Sequence, residues 1–239
     1  MAEESNMAQP SYQSALIVGA GRGLSASLAR LFAGEGMRVA LAARDTSKLL
    51  ELCAETGAMA FSCDAVDPDQ VARLFTAVEG AIGAPEIVVY NASARARGPV
   101  AELVPAEVER AIMVSAYGGF LVAREAVRRM QPKGHGAVLF TGASASVKGY
   151  PLSSAFAMGK FALRGLAQSM ARELSPQGIH IGHFVIDGAI RNPGRVEPAD
   201  KPDSMLDPDA IAATYLAVIN QPRSAWTWEV ELRPWVERF

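Results

Sequence analysis

The sequence predicts an α/β protein built on a doubly wound parallel sheet, a single domain with helices on both faces. Three observations carry this. Short apolar runs alternate along the chain with stretches of helical periodicity. The runs are almost continuously apolar, as parallel strands covered on both faces must be. The 239 residues are half hydrophobic and a fifth charged, with no linker-like shift in composition and no internal repeat, which is the size and make-up of one ordinary domain.

Residues 1–13 are polar and aperiodic and read as a flexible tail ahead of a domain at 14–239. "ALIVGA" is a strand, and "GLSASLARLFAGEG" an amphipathic helix closing on glycines. "MRVALAAR" is a strand, "TSKLLELCAET" a helix and "AMAFSCD" a strand. Asp67 then caps a helix opened by Pro68, since proline's missing N–H costs nothing in a first turn. "EIVVYNAS" is a strand, followed by one long helical stretch from about Pro105 to Met130. "GAVLFTGAS" is a strand, "SSAFAMGKFALRG" begins a helix, and "GIHIGHFVID" is a strand. Asp207-Pro208 starts the last helix, and "WTWEVELRP" is the last strand.

Bulk properties narrow the partners. A net charge of -2 gives no electrostatic case for nucleic acid or for an anionic membrane surface. Cys53 and Cys63 lie in a chain with no signal peptide pattern and no bilayer-length apolar run, so a cytoplasmic protein with reduced thiols is expected. No Cys/His cluster has metal-ligand spacing, and no metal is expected. His135, His180 and His183 read as surface or strand-edge residues.

The first strand runs directly into Gly19-Ala20-Gly21-Arg22-Gly23-Leu24-Ser25 and then a helix. In a strand–turn–helix unit such glycines allow a tight turn, and they let backbone N–H groups approach a pyrophosphate at the helix N-terminus. Gly19, Gly21, Arg22, Gly23 and Leu24 are therefore candidate cofactor-binding residues. The second strand ends at Arg44, where an arginine can pair with the 2'-phosphate of NADP and an acid would bind the 2'-hydroxyl of NAD. Arg22 could clamp the same phosphate, so NADP(H) is favoured over NAD(H). Asp45 has two roles open to it, an NAD-type acid or the cap of the next helix, and its position favours the cap.

From Ser14 to Phe239 these residues resemble the short-chain dehydrogenase/reductase family, whose fold is Rossmann-like. Gly19 and Gly23 match the family's glycine signature, with Ser25 in place of the third glycine. The resemblance assigns Asp64 and Ala65 to the adenine, and Asn91-Ala92-Ser93 to the turn after the fourth strand. Asp187-Gly188-Ala189-Ile190 falls at the turn that touches the nicotinamide, and Asn192 stands where a threonine usually binds the carboxamide. Family catalysis uses Ser, Tyr and Lys with a supporting Asn. Here the tyrosine position is Phe156, the asparagine position is Ser115, and the serine position falls on Ala143 with Ser144 beside it. Lys160 is retained, and its second role in the family, hydrogen bonding the cofactor ribose, needs no tyrosine.

Two functions follow as expectations. One is an NADP(H)-dependent oxidoreductase acting on a carbonyl or alcohol with an altered proton relay, Ser144 being the first alternative donor ahead of Ser146, Ser153, Ser154 and Tyr150. The other is a catalytically impaired NADP(H)-binding sensor or scaffold. With no tyrosine titrating, a flat pH–rate profile is expected between neutrality and pH 10. A homo-oligomer, dimer or tetramer, is expected through the long helix and the Phe156 helix, where Ala157, Gly159, Ala162 and Gly165 allow close approach. The three C-terminal tryptophans are expected at a contact. The short, polar segment "RNPGRVEPADKPDSMLDP" would leave the pocket open or fit an extended small-molecule substrate.

Overall fold

The computed structural model describes residues 12–237. Seven strands form one parallel sheet in the order β3 (Met59–Ser62), β2 (Arg38–Ala43), β1 (Ser14–Val18), β4 (Ile87–Tyr90), β5 (Gly136–Thr141), β6 (Ile179–Ile186), β7 (Glu229–Leu232). Leu16 pairs with Ala40 on one side and Val88 on the other. The direction of winding reverses between β1 and β4, and the crevice outside the strand ends at such a switch point is where ligands bind in this architecture.

Alternation along each strand sends side chains to two apolar layers. Leu16, Val18, Val88, Tyr90 and Phe140 pack under α3 (Pro68–Ile82), α5 (Gly118–Met130) and α6 (Ser154–Leu174). Ile17, Leu41, Val89, Leu139 and Phe184 pack under α1 (Leu24–Gly34), α2 (Leu50–Thr56) and α7 (Pro208–Ile219). The Asp67 carboxylate accepts from the backbone N–H of Asp69 and Gln70 at 2.9 and 3.0 Å, and Asp207 accepts from Asp209 at 2.9 Å. Both helix starts lie where the Asp-Pro pairs place them.

Several expectations are corrected. The stretch from Pro105 to Met130 is not one α-helix: α4 (Pro105–Ile112) and α5 are joined by a π-turn over Met113–Tyr117. Its cause lies in the sheet. The buried Tyr90 hydroxyl donates to the Val114 carbonyl at 2.5 Å, and a Cβ on Gly118 would come within 2.4 Å of that hydroxyl, so the helix widens over the tyrosine. Tyr12 and Gln13 do not belong to the tail: Tyr12 is buried and stacked on His135, and the Gln13 N–H donates to Glu86 at 2.7 Å. Residues 1–11 lie outside the described residues.

His180 and His183 are not at an edge, because β6 lies between β5 and β7 and both residues are buried. Burial pushes the His183 pKa down to about 4, so its 2.9 Å contact with Glu229 is a hydrogen bond from a neutral ring. Two tryptophans are used within the chain: Trp226 stacks on His180, and Trp228 packs on the core with Arg164 over its ring. Trp235 is 79% exposed. Gly159 is also spent internally, since a Cβ there would meet Ser115 at 2.7 Å. Among the described residues Cys53 and Cys63 are free thiols, no helix is long and apolar enough to cross a membrane, and no His, Cys, Asp or Glu cluster could hold a metal.

Candidate active site

The turn after β1 is pressed against the end of β4. Gly19 has φ +85°, and a Cβ on it would lie 2.3 Å from the Ala92 nitrogen, so no other residue fits. Ser25, standing where the resemblance has glycine, latches the turn. Its hydroxyl donates to the Gly19 carbonyl at 3.1 Å and accepts from the Asn91 side-chain amide at 2.7 Å. Helix α1 begins at Leu24 with no side-chain cap on Gly23. The Gly23 carbonyl takes the Ala26 N–H at 2.8 Å, and the N–H groups ahead of it are those a helix start leaves without intrahelical acceptors, the kind that suit an anion.

Two adjoining cavities occupy that crevice and share Asn91 and Ser93. The first, of about 330 Å³, brings together Gly19, Arg44, Asp45, Lys48, Asp64, Ala65, Asn91 and Ala92. Asp45 is engaged in its own turn. Its carboxylate accepts from the Ser47 N–H and hydroxyl at 3.0 and 2.6 Å, which holds its pKa below the usual carboxylate range. Lys48 was not singled out from the sequence. Arg22 and Gly21 line a neighbouring cavity, again with Lys48, and not the first one.

The second cavity, of about 260 Å³, is lined by Gly23, Leu24, Asn91, Thr141, Gly142, Ala143, Phe156, Lys160, Gly188, Ile190 and Asn192, with Arg95 and Arg195. Lys160 is 3% exposed, and its ammonium donates to the Thr141 carbonyl at 2.7 Å. Burial, with a smaller push from the Arg95 charge, brings its pKa down to about 7. Phe156 is 8% exposed, and the Arg95 guanidinium lies 4.1 Å above its ring centre. Asn192 spends its amide on its own loop, accepting from the Gly194 N–H at 2.9 Å. Gly188 gives room to Pro234, which a Cβ would meet at 2.8 Å.

Two candidates lie elsewhere. Ser144 begins a short turn over Ser144–Ser146 and does not line the cavity. The buried Ser146 hydroxyl accepts from the Ala143 N–H at 3.1 Å and fixes that turn. Ser115 is fully buried behind the cavity, where its hydroxyl contacts both the N–H and the carbonyl of Ala94 at 3.3 Å. It braces the loop that carries Arg95. Arg95 and Arg195 sit on loops with no motif of their own, and only the loop's arginine-rich spelling, "ARAR", hinted at a cation there.

The short chain dehydrogenase family profile matches residues 13–194. The 3-oxoacyl-acyl-carrier-protein reductase MabA of Mycobacterium tuberculosis is 32% identical over 167 residues, spanning 70% of this chain and 65% of that protein's length. A short-chain dehydrogenase from Rhodopseudomonas palustris superposes with a TM-score of 0.81 at 35% identity, covering 95% of this chain and 100% of that one. An alcohol dehydrogenase from Thermococcus sibiricus, complexed with 5-hydroxy-NADP, gives 0.82 at 26% identity over 95% and 98% of the two chains. With the glycine turn at the switch point of a seven-stranded parallel sheet and a match across three quarters of its length, the chain belongs to the short chain dehydrogenase family of oxidoreductases.

Proposed function

We propose that the protein is an NADP(H)-dependent oxidoreductase that interconverts a carbonyl and an alcohol, with Lys160 holding the proton that the family's tyrosine would handle. The observation that carries this is the buried Lys160 ammonium in the cavity next to the glycine turn, its pKa lowered to about 7. An acid–base group works best with a pKa near the operating pH. Phe156 shapes the cavity wall and supplies no proton.

The residues fit a dinucleotide. The uncapped start of α1 suits a diphosphate. Arg44 and Lys48 on the first cavity suit a 2'-phosphate. Lys160 has three N–H donors, and only the Thr141 carbonyl takes one of them among the described residues, which leaves two for ribose hydroxyls. When bound, the nicotinamide would supply or receive hydride; this chain would position the substrate and move the proton at Lys160 Nζ. The reductase name of the relative and the NADP-type ligand of the solved neighbour support the same reading.

The absence of a phenol at Phe156 favours a second reading, a cofactor-binding sensor or scaffold without turnover. Titration of tryptophan fluorescence with NADPH and NADH, followed by NADPH consumption over a panel of carbonyls, separates the two. Binding with no turnover on any substrate favours the sensor. We further infer a homo-oligomer, because Tyr117, Phe120, Met158 and Phe161 expose large apolar surface on and beside α5 and α6.

A further inference from the structure

The second cavity carries three cations, Arg95, Lys160 and Arg195, and no Asp or Glu lines it. Several other arginines pair with acids: Arg30 with Glu55, Arg129 with Glu79 and Glu125, Arg164 with Glu229, and Arg191 with Asp207. Among the described residues, the side chains of Arg95 and Arg195 make neither an ion pair nor a hydrogen bond. Arg95 is nevertheless held in place. Its guanidinium face rests on the Phe156 ring, which spends none of its five N–H donors. On one side of it Ala94 is pinned by Ser115 through both backbone groups. On the other, Ala96 is buried in a small cluster with Ala111 of α4 and Ala155 of α6. Burial, and the like charges of Arg195 and Arg97, push the Arg95 pKa below its ordinary value. Both arginines are exposed, and a solvent-reachable cation set close to other cations, with no acid beside it, suits an anion.

That anion need not be the cofactor's. The cofactor phosphates have the α1 N-terminus, Arg44 and Lys48, whereas Arg95 stands at the far side, on the residue that replaces the family's tyrosine. We propose that the substrate is itself anionic, a carbonyl or alcohol bearing a carboxylate or phosphate, and that Arg95, assisted by Arg195, binds the anionic group and so orients the reacting carbon. This rests on the second cavity being the reacting site of the oxidoreductase proposed above. The planar guanidinium matches either oxyanion through paired N–H bonds, and one face stacked on an aromatic ring leaves that edge free.

The test uses the full chain loaded with NADPH and three para-substituted aldehydes: formylbenzoate, formylphenyl phosphate and the methyl ester of formylbenzoate. Binding is read by calorimetry and reduction by NADPH absorbance. At least one of the two anions is expected to bind about tenfold more tightly than the neutral ester, the scale of one charge-assisted contact, and the stronger of the two identifies the group. Arg95→Leu should erase the difference while NADPH affinity changes by less than about twofold, and Arg95→Lys should restore only part of it. Equal affinity for all three probes, or an anion preference that survives Arg95→Leu, overturns the proposal. The outcomes also separate it from the functional reading beneath it. Anion preference without turnover of any carbonyl counts against the oxidoreductase alone, and turnover indifferent to charge counts against the anion site alone.

Discussion

Replacing Lys160 with methionine is expected to make the cofactor-free protein more stable and a poorer binder. An unfolded lysine titrates near 10.5, and in the folded chain burial brings Lys160 down to about 7. Between those values the unfolded chain holds a proton that the folded chain lacks, so stability rises with pH across that window. The contribution is fully present above the unfolded value and is lost as pH falls through the folded one. Between pH 7 and pH 9.5 the linkage relation gives a rise of about 3 kcal/mol from this residue. Other groups titrate in the same range, among them Cys63, which burial pushes up to about 11. The informative quantity is therefore the difference between wild type and Lys160→Met, in which they cancel. Urea unfolding without cofactor at the two pH values should show the variant more stable at pH 7, with its advantage shrinking by about 3 kcal/mol at pH 9.5. NADPH affinity of the variant should drop at the same time, because the ribose loses its ammonium. A pH-independent difference would mean that Lys160 stays charged in the fold, and the proton-handling role would fall with it.

Arg44→Ala should weaken NADPH by at least about tenfold and leave NADH nearly unchanged, as read by fluorescence titration; equal losses for both cofactors would remove Arg44 from the 2'-phosphate. Phe156→Tyr should leave NADPH affinity unchanged and raise reduction of a small test ketone by about tenfold or more; no gain on any ketone would mean that position 156 does not face the reacting oxygen. In place of the flat pH–rate profile expected from a missing tyrosine, the role proposed for Lys160 predicts that reduction slows as pH rises through about 7, where burial brings its pKa, and a profile level from pH 6 to 9 would exclude that role. Light scattering at micromolar concentration should return a multiple of the 25.3 kDa chain mass, and a monomer would leave the exposed aromatic residues of α5 and α6 without a partner.

What the sequence revealed and what it concealed divide along the distance between cause and effect. The strands were legible because burial on both faces writes itself as continuous apolar runs, and the Asp67 and Asp207 caps because each acts within three residues. The glycine turn was legible for the same reason, and so was Asn91, whose place at the end of β4 follows from the strand before it. The π-turn was not, since nothing in "MVSAY" demands it; the Tyr90 hydroxyl does, from another element. His180 and His183 looked like edge residues because β7, which covers them, is contributed by the far end of the chain. Arg95 escaped for that reason as well. A loop arginine acquires meaning only when folding sets it on Phe156. Phe156 could be singled out by the resemblance, but the cation that covers its ring could not.

The π-turn also sets a phase. Each residue of an α-helix advances the chain by about 100° around its axis, and the widened turn fixes the angular offset between α4 and α5. With the present offset Ala111 of α4 faces Ala96 and Ala155, while Leu121 and Val122 of α5 face the sheet. Removing one residue from 113–117 would rotate one helix against the other by roughly that angle, and either Ala96 or the sheet would lose its cover. Since Ala96 adjoins Arg95 and Ala155 adjoins Phe156, the turn's length governs a cation–ring contact that its own side chains do not make. Apart from the buried Ser115, whose hydroxyl pins Ala94, this segment should therefore accept exchanges of residue type far more readily than any insertion or deletion.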